Sequence, residues 1–117
     1  MRLNEVSYDA GAPIDGYGPG FFRVGGEKIE GSCLIHMAGV DTWGGYDDPA
    51  AILTHADDFD VLILGTGPEI AHPPEAFRDA IEAAGIGIEP MASAQACRTY
   101  NVLLGEGRRV AAALLGV

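Results

Sequence analysis

The spacing of apolar positions changes near the middle of the chain. Before residue 48 apolar residues come in short runs broken by glycine and proline. Residues 6–8 read as a short strand. Residues 11–20 hold four glycines and two prolines and read as a loop. The runs 21–24 and 27–35 flank Gly25-Gly26, which is a hairpin signal: a two-residue turn needs positive φ, and glycine adopts it without a steric cost. Gly31-Ser32 marks a bend within the second of these strands. Trp43 falls in a glycine-rich loop, 39–46.

After residue 48 the pattern alternates. Asp48-Pro49 reads as an N-cap followed by proline at the first helical position, opening a short helix to about residue 56. Residues 59–64, FDVLIL, are too short for a typical helix and match a strand buried on both faces. Gly65-Thr66-Gly67-Pro68 ends it. In 73–84, Pro74, Phe77, Ile81 and Ala84 form one helical stripe, with Glu75, Arg78 and Glu82 on the wet side. Gly85 stops that helix. A strand at 86–90 follows, then a helix capped by Ser93 and reaching about 104, then a buried strand at 109–115. The result is β-α-β-α-β behind a hairpin-rich N-terminal half, for which parallel pairing with right-handed crossovers is the default. The chain reads as one α/β domain, 1–117.

This topology points to one edge of the sheet. If the strands ending near residues 64 and 90 are parallel, Gly65, Thr66 and Gly67 lie beside Ser93 and the start of the last helix. Open α/β sheets bind ligands at that edge, and a helix N-terminus offers free amides to a small anion. The dinucleotide fingerprint itself fails, since its sixth position is Ile70 and Pro68 removes an amide donor. In the last helix Ala96, Cys97, Tyr100, Leu103 and Leu104 share an inward arc, so Cys97 reads as core. Arg98 and Asn101 fall off that arc and join Gly65, Thr66, Gly67 and Ser93 as candidate ligand-binding residues. An arginine early in a helix opposes the dipole, so Arg98 reads either as a surface charge, pairing with Glu106, or as a fork for a carboxylate. Glu106, Arg108 and Arg109 read as an ion-pair or interaction cluster.

No catalytic residue emerges. No serine stands in a G-x-S-x-G setting, and Cys97 has no histidine near it in sequence. His36, His55 and His72 are scattered with no zinc spacing, so no metal is expected. No cofactor is expected either. The formal net charge of -10 repels phosphate backbones and anionic lipid, which disfavours nucleic acid and membrane surfaces as partners. Two distant cysteines, the lack of a leader-like N-terminus and the lack of a long apolar run give the expectation of a cytoplasmic protein.

Gly31-Ser32, Trp43, LILGTG at 62–67, Met91 with Ser93, and above all ACRTYNVLLGEGRRVAAALL at 96–115 carry a family resemblance. The chain resembles the small domains of unknown function that include the mitochondrial assembly factor 3 of respiratory complex I (NADH:ubiquinone oxidoreductase) and many bacterial and archaeal homologues. Ser93 stands where the family usually has threonine, and Ala92 where an acidic residue is frequent. The resemblance implies a three-layer α/β fold with a mixed central sheet and no established activity or cofactor. The mitochondrial member binds other proteins during assembly, so the resemblance implies protein partners. The expected function is a protein-binding accessory factor. The alternative is a small-anion or metabolite-binding protein, or an enzyme, using the Gly65–Gly67 and Ser93–Arg98 edge.

Overall fold

A computed structural model describes residues 12–117, so the strand expected at 6–8 lies outside the described residues. Three parallel strands form the heart of the main sheet: β6 (Val61–Gly65), β7 (Gly87–Met91) and β8 (Val110–Leu114). The other edge of β8 pairs antiparallel with β4 (Cys33–His36), and β4 with β5 (Gly39–Thr42). The order is β5-β4-β8-β6-β7, a mixed sheet as expected.

The helices cover both faces of this sheet. From β6 the chain moves through α2 (Glu75–Glu82) to the neighbouring β7, then returns through α3 (Ser93–Gly105) past β6 to β8. The direction of travel reverses between the two crossovers. Right-handed connections then put the two helices on opposite faces. Phe77 and Ile81 of α2 pack with Leu34, Leu62, Leu64, Ala111 and Ala113. Ala96, Cys97 and Tyr100 of α3 pack with Cys33, Ile35, Ile63, Ala112 and Leu114. Adjacent residues of each strand therefore enter different cores, and this is why 59–64 reads as an unbroken apolar run. The short α1 (Pro49–Leu53), Trp43 and Phe59 join the α2 side. Asp48 Oδ1 accepts the Ala51 N–H at 3.4 Å, the expected cap. This helix is shorter than the sequence suggests, and a separate one-turn 3₁₀ helix spans Ala56–Asp58.

The N-terminal half departs further from expectation. β1 (Ile14–Gly18), β2 (Phe21–Val24) and β3 (Glu27–Glu30) form their own antiparallel sheet on the α3 side. The Gly25-Gly26 hairpin forms as read. Gly31, at φ 78°, does more than bend one strand: it divides 27–35 into β3 and β4, which belong to different sheets. The 39–46 loop contributes β5. The supposed loop at 11–20 contains β1, because tertiary partners supply what its glycine-rich sequence lacks. The first is β2, which pairs antiparallel with β1, and the Asn101 side chain is another. The Ile14 N–H donates to Asn101 Oδ1 at 2.8 Å, and Asn101 Nδ2 donates to the Ile14 carbonyl at 2.8 Å. The Tyr100 hydroxyl donates to the Ala12 carbonyl at 3.1 Å. Asn101 is thus half-buried against β1 rather than presented outward.

Replacing Asn101 by alanine should lower stability by about 1–3 kcal/mol, since both backbone groups of Ile14 lose their partner in a half-buried setting. Urea denaturation measures this. A midpoint within error of the parent would mean that β1 is held by other contacts.

Candidate functional site

The C-terminal ends of β6, β7 and β8 lie side by side, and the sequence reading is right that this brings Gly65, Thr66 and Gly67 to Ser93. Ser93 is fully buried. It does not cap α3; the N-cap is Ala92, with no side-chain bond. Its hydroxyl accepts the Gly67 N–H at 2.9 Å and donates to the Leu115 carbonyl at 2.8 Å. Its own N–H donates to the Gly67 carbonyl at 2.8 Å. One side chain therefore joins the loop leaving β6, the start of α3 and the segment leaving β8. A Cβ on Gly65 would stand 2.8 Å from Ser93 Oγ and 2.9 Å from Leu114 Cδ2, so glycine is required there by close approach.

The amides of Thr66, Gly67, Ser93 and Leu115 all have protein acceptors. The crevice where such sheets usually take a ligand is occupied by the chain itself. Arg98 is exposed and donates to Gln95 Oε1 at 2.9 Å, while Asn101 serves β1. Neither joins this edge. Of the Glu106, Arg108 and Arg109 cluster, Arg109 pairs instead with Asp60 at 3.3 Å and donates to the Asp57 carbonyl at 2.7 Å. Glu106 and Arg108 are exposed.

Thr66 builds the neighbouring loop. Its hydroxyl accepts the Ala71 N–H at 3.1 Å and shares its proton between the carbonyls of Glu69 at 2.7 Å and Met91 at 3.1 Å. The turn so closed leaves Ile70 70% exposed. Ile70, Ala71, His72, Arg78 and Pro90 line a groove of about 350 Å³ beside it. Pro90 lies on β7, the edge strand, where the missing N–H discourages another strand from pairing. No sequence periodicity marks Ile70, because its exposure follows from a turn drawn by one hydroxyl.

The two thiols face the α3-side core. Burial pushes Cys33 up to about 12, with the neighbouring Cys97 adding to the effect. Burial pushes Cys97 up to about 11, although Arg98 and a backbone hydrogen bond pull the other way. Tyr100 is raised by burial as well. Such thiols stay protonated and are poor nucleophiles, which fits the core reading of Cys97. The histidines, in contrast, are not all scattered. His36 and His55 stack with ring centroids 3.7 Å apart and planes at 14°.

A family model described as a protein of unknown function (DUF498/DUF598) matches residues 14–115. The chain belongs to this family. An uncharacterized protein of Rhodobacter capsulatus is 49% identical over 115 residues, 98% of this chain and 93% of that protein. NADH dehydrogenase (ubiquinone) 1 alpha subcomplex assembly factor 3 of Danio rerio is 28% identical over 122 residues, 98% of this chain and 70% of that protein. A crystal structure described as an outer membrane protein from Bartonella henselae superposes with a TM-score of 0.84 at 35% identity, covering 95% of this chain and 99% of that one. The kinship read from the 96–115 tail is thus correct. Among the described residues of this DUF498/DUF598 chain, no helix is long and apolar enough to cross a membrane.

Ser93→Ala should cost about 1–3 kcal/mol, because it leaves the buried Gly67 N–H without an acceptor. A thermal or urea midpoint equal to the parent would show that the crevice repacks around the loss. The raised thiols make a second expectation. A neutral acid held above its ordinary pKa binds its proton more tightly in the folded chain than in the unfolded one. The stability from Cys33 and Cys97 is therefore full below pH 9 and falls as pH rises from 9 towards 12. Denaturation midpoints between pH 8 and about 11 should decline, and decline less in a Cys33→Ala/Cys97→Ala variant. Equal slopes in the two proteins would assign the loss to other groups.

Proposed function

We propose that this chain is a protein-binding accessory factor that docks a partner on the loop 67–74 and the groove beside it. The observation that carries this reading is Ile70, a large apolar side chain held 70% exposed by a turn that Thr66 ties down. A rigid apolar anchor at the rim of a groove is how interfaces concentrate binding energy. Arg78, half-buried on the groove wall, gives the partner a polar point to match. The relatives named as assembly factor 3 of NADH dehydrogenase support the same class, and they suggest subunits of respiratory complexes, or their assembly machinery, as the partner. The cytoplasmic location expected from the sequence goes with this reading. Val102, 59% exposed on α3, is a lesser anchor, since it stands alone on its helix face. A small-anion site at 65–67 and 93–98 has less support, because the amides of Thr66, Gly67 and Ser93 are already bonded within the chain.

Ile70→Glu should reduce recovery of the partner in pull-downs from the native host by at least about tenfold, the loss expected for an interface anchor. The same variant should leave stability within about 0.5 kcal/mol of the parent, as surface substitutions do. Undiminished recovery with Ile70→Glu, together with loss on Val102→Asp, would move the interface to α3. Recovery of no partner by the parent chain would remove the reading altogether.

A further inference from the structure

The β4–β5 hairpin meets the connection between α1 and β6 over a side-chain cluster that the docking loop does not use. His36, the last residue of β4, is buried, with its side chain 5% exposed. Its Nε2 lies 2.7 Å from Oδ2 of Asp41 on β5. His55, which precedes the 3₁₀ turn Ala56–Asp58, stacks on the His36 ring. Donor atoms of His36, Asp41 and His55 all lie within 4.8 Å of one another. These three residues are 5 and 14 positions apart in sequence, so no zinc spacing shows and only the fold collects them.

We propose that His36, Asp41 and His55 form a binding site for a late first-row divalent cation, with Zn(II) as the ion to test. Two imidazoles and one carboxylate make a mixed nitrogen and oxygen set, which suits zinc, nickel or copper, whereas magnesium and calcium take oxygen ligands. The site is poised rather than preformed, and the adjustments it needs are local. Zinc bonds of about 2.0–2.2 Å hold tetrahedral ligand atoms roughly 3.4 Å apart. Asp41 has to draw back by less than about 1 Å on that geometry, and its side chain is 61% exposed and free to do so. His55 has to tilt out of the near-parallel stack, so that the two ring planes meet at the ion. Its side chain is 22% exposed, and it sits at the head of a single 3₁₀ turn. Asp58 Oδ2, 3.8 Å from His55 Nδ1, is placed to accept the remaining N–H of that ring when Nε2 takes the ion.

The proton arithmetic at His36 is defined. The Ala38 N–H donates to Nδ1 at 3.2 Å, so the neutral ring carries its proton on Nε2, pointing at Asp41. The ion takes that proton's place between Nε2 and the carboxylate. The proton moves to Nδ1, and the long Ala38 bond is given up. An ion that must reset a tautomer and open a ring stack binds in the micromolar range rather than the nanomolar. Once bound, it clamps the β5 edge of the sheet to the segment that leads into β6.

Isothermal titration of the full chain with Zn(II) tests this. The expected result is one equivalent at micromolar affinity, with Ca(II) giving no heat. Asp41→Asn and His55→Ala should each weaken binding by about tenfold or more, while His72→Ala leaves it unchanged. Substituting buried His36 puts the fold at risk, so nitrogen-15 NMR of the parent chain reports on it instead: Zn(II) should shift His36 Nε2. Zn(II) binding that is absent up to about millimolar concentration would overturn the proposal. So would affinities for Asp41→Asn and His55→Ala equal to that of the parent, or an unmoved His36 Nε2 resonance.

Discussion

The Ser93 hydroxyl stands where the ends of the parallel strands converge, and much of the architecture hangs on it. It receives the Gly67 N–H and gives its proton to the Leu115 carbonyl, so the exits of β6 and β8 are tied through the first residue of α3. The tie works only because nothing larger than hydrogen projects from Gly65. The bond to the Gly67 N–H is buried, so its absence is costly.

A closed crevice changes what this edge of the sheet is for. In many α/β proteins the loops at this edge separate and leave amides for a phosphate. Here the amides of Thr66, Gly67, Ser93 and Leu115 bond within the chain, and the next loop outward is the one that faces solvent. Thr66 repeats the device of Ser93 one step further out: a hydroxyl makes several backbone bonds and fixes a turn. What the turn presents is the apolar side chain of Ile70. Beside Ile70 the groove also carries His72 and Arg78, so its lining is mixed.

The C-terminal half was legible because its signals are strong and local. The FDVLIL run, the Phe77 and Ile81 stripe and the Asp48-Pro49 cap each report burial or bonding that neighbouring residues decide. The N-terminal half was less legible for a matching reason. β1 is glycine-rich; it pairs with β2, and Asn101, 87 residues away, bonds both backbone groups of Ile14. Gly31 separates two sheets, but a bend and a sheet boundary leave the same mark in sequence. At the candidate site the grouping of Gly65, Thr66, Gly67 and Ser93 followed from parallel pairing alone. The roles did not. Whether an off-stripe residue such as Asn101 or Arg98 meets another element depends on what packs beside the helix, and periodicity along α3 carries no information about that. The encounter of His36 with His55 is of the same kind.

The strand order carries one more consequence, for how the chain reaches its folded state. β8 is the last strand in sequence but sits in the middle of the five-stranded sheet, between β4 and β6. Until it arrives, the β4–β5 hairpin and the β6-α2-β7 unit have no common partner, and each shows an open edge. The sheet is therefore closed by its most distant pairing: Cys33 meets Leu114 only after everything between them has been made. Such a non-local topology implies slow folding for the chain's size.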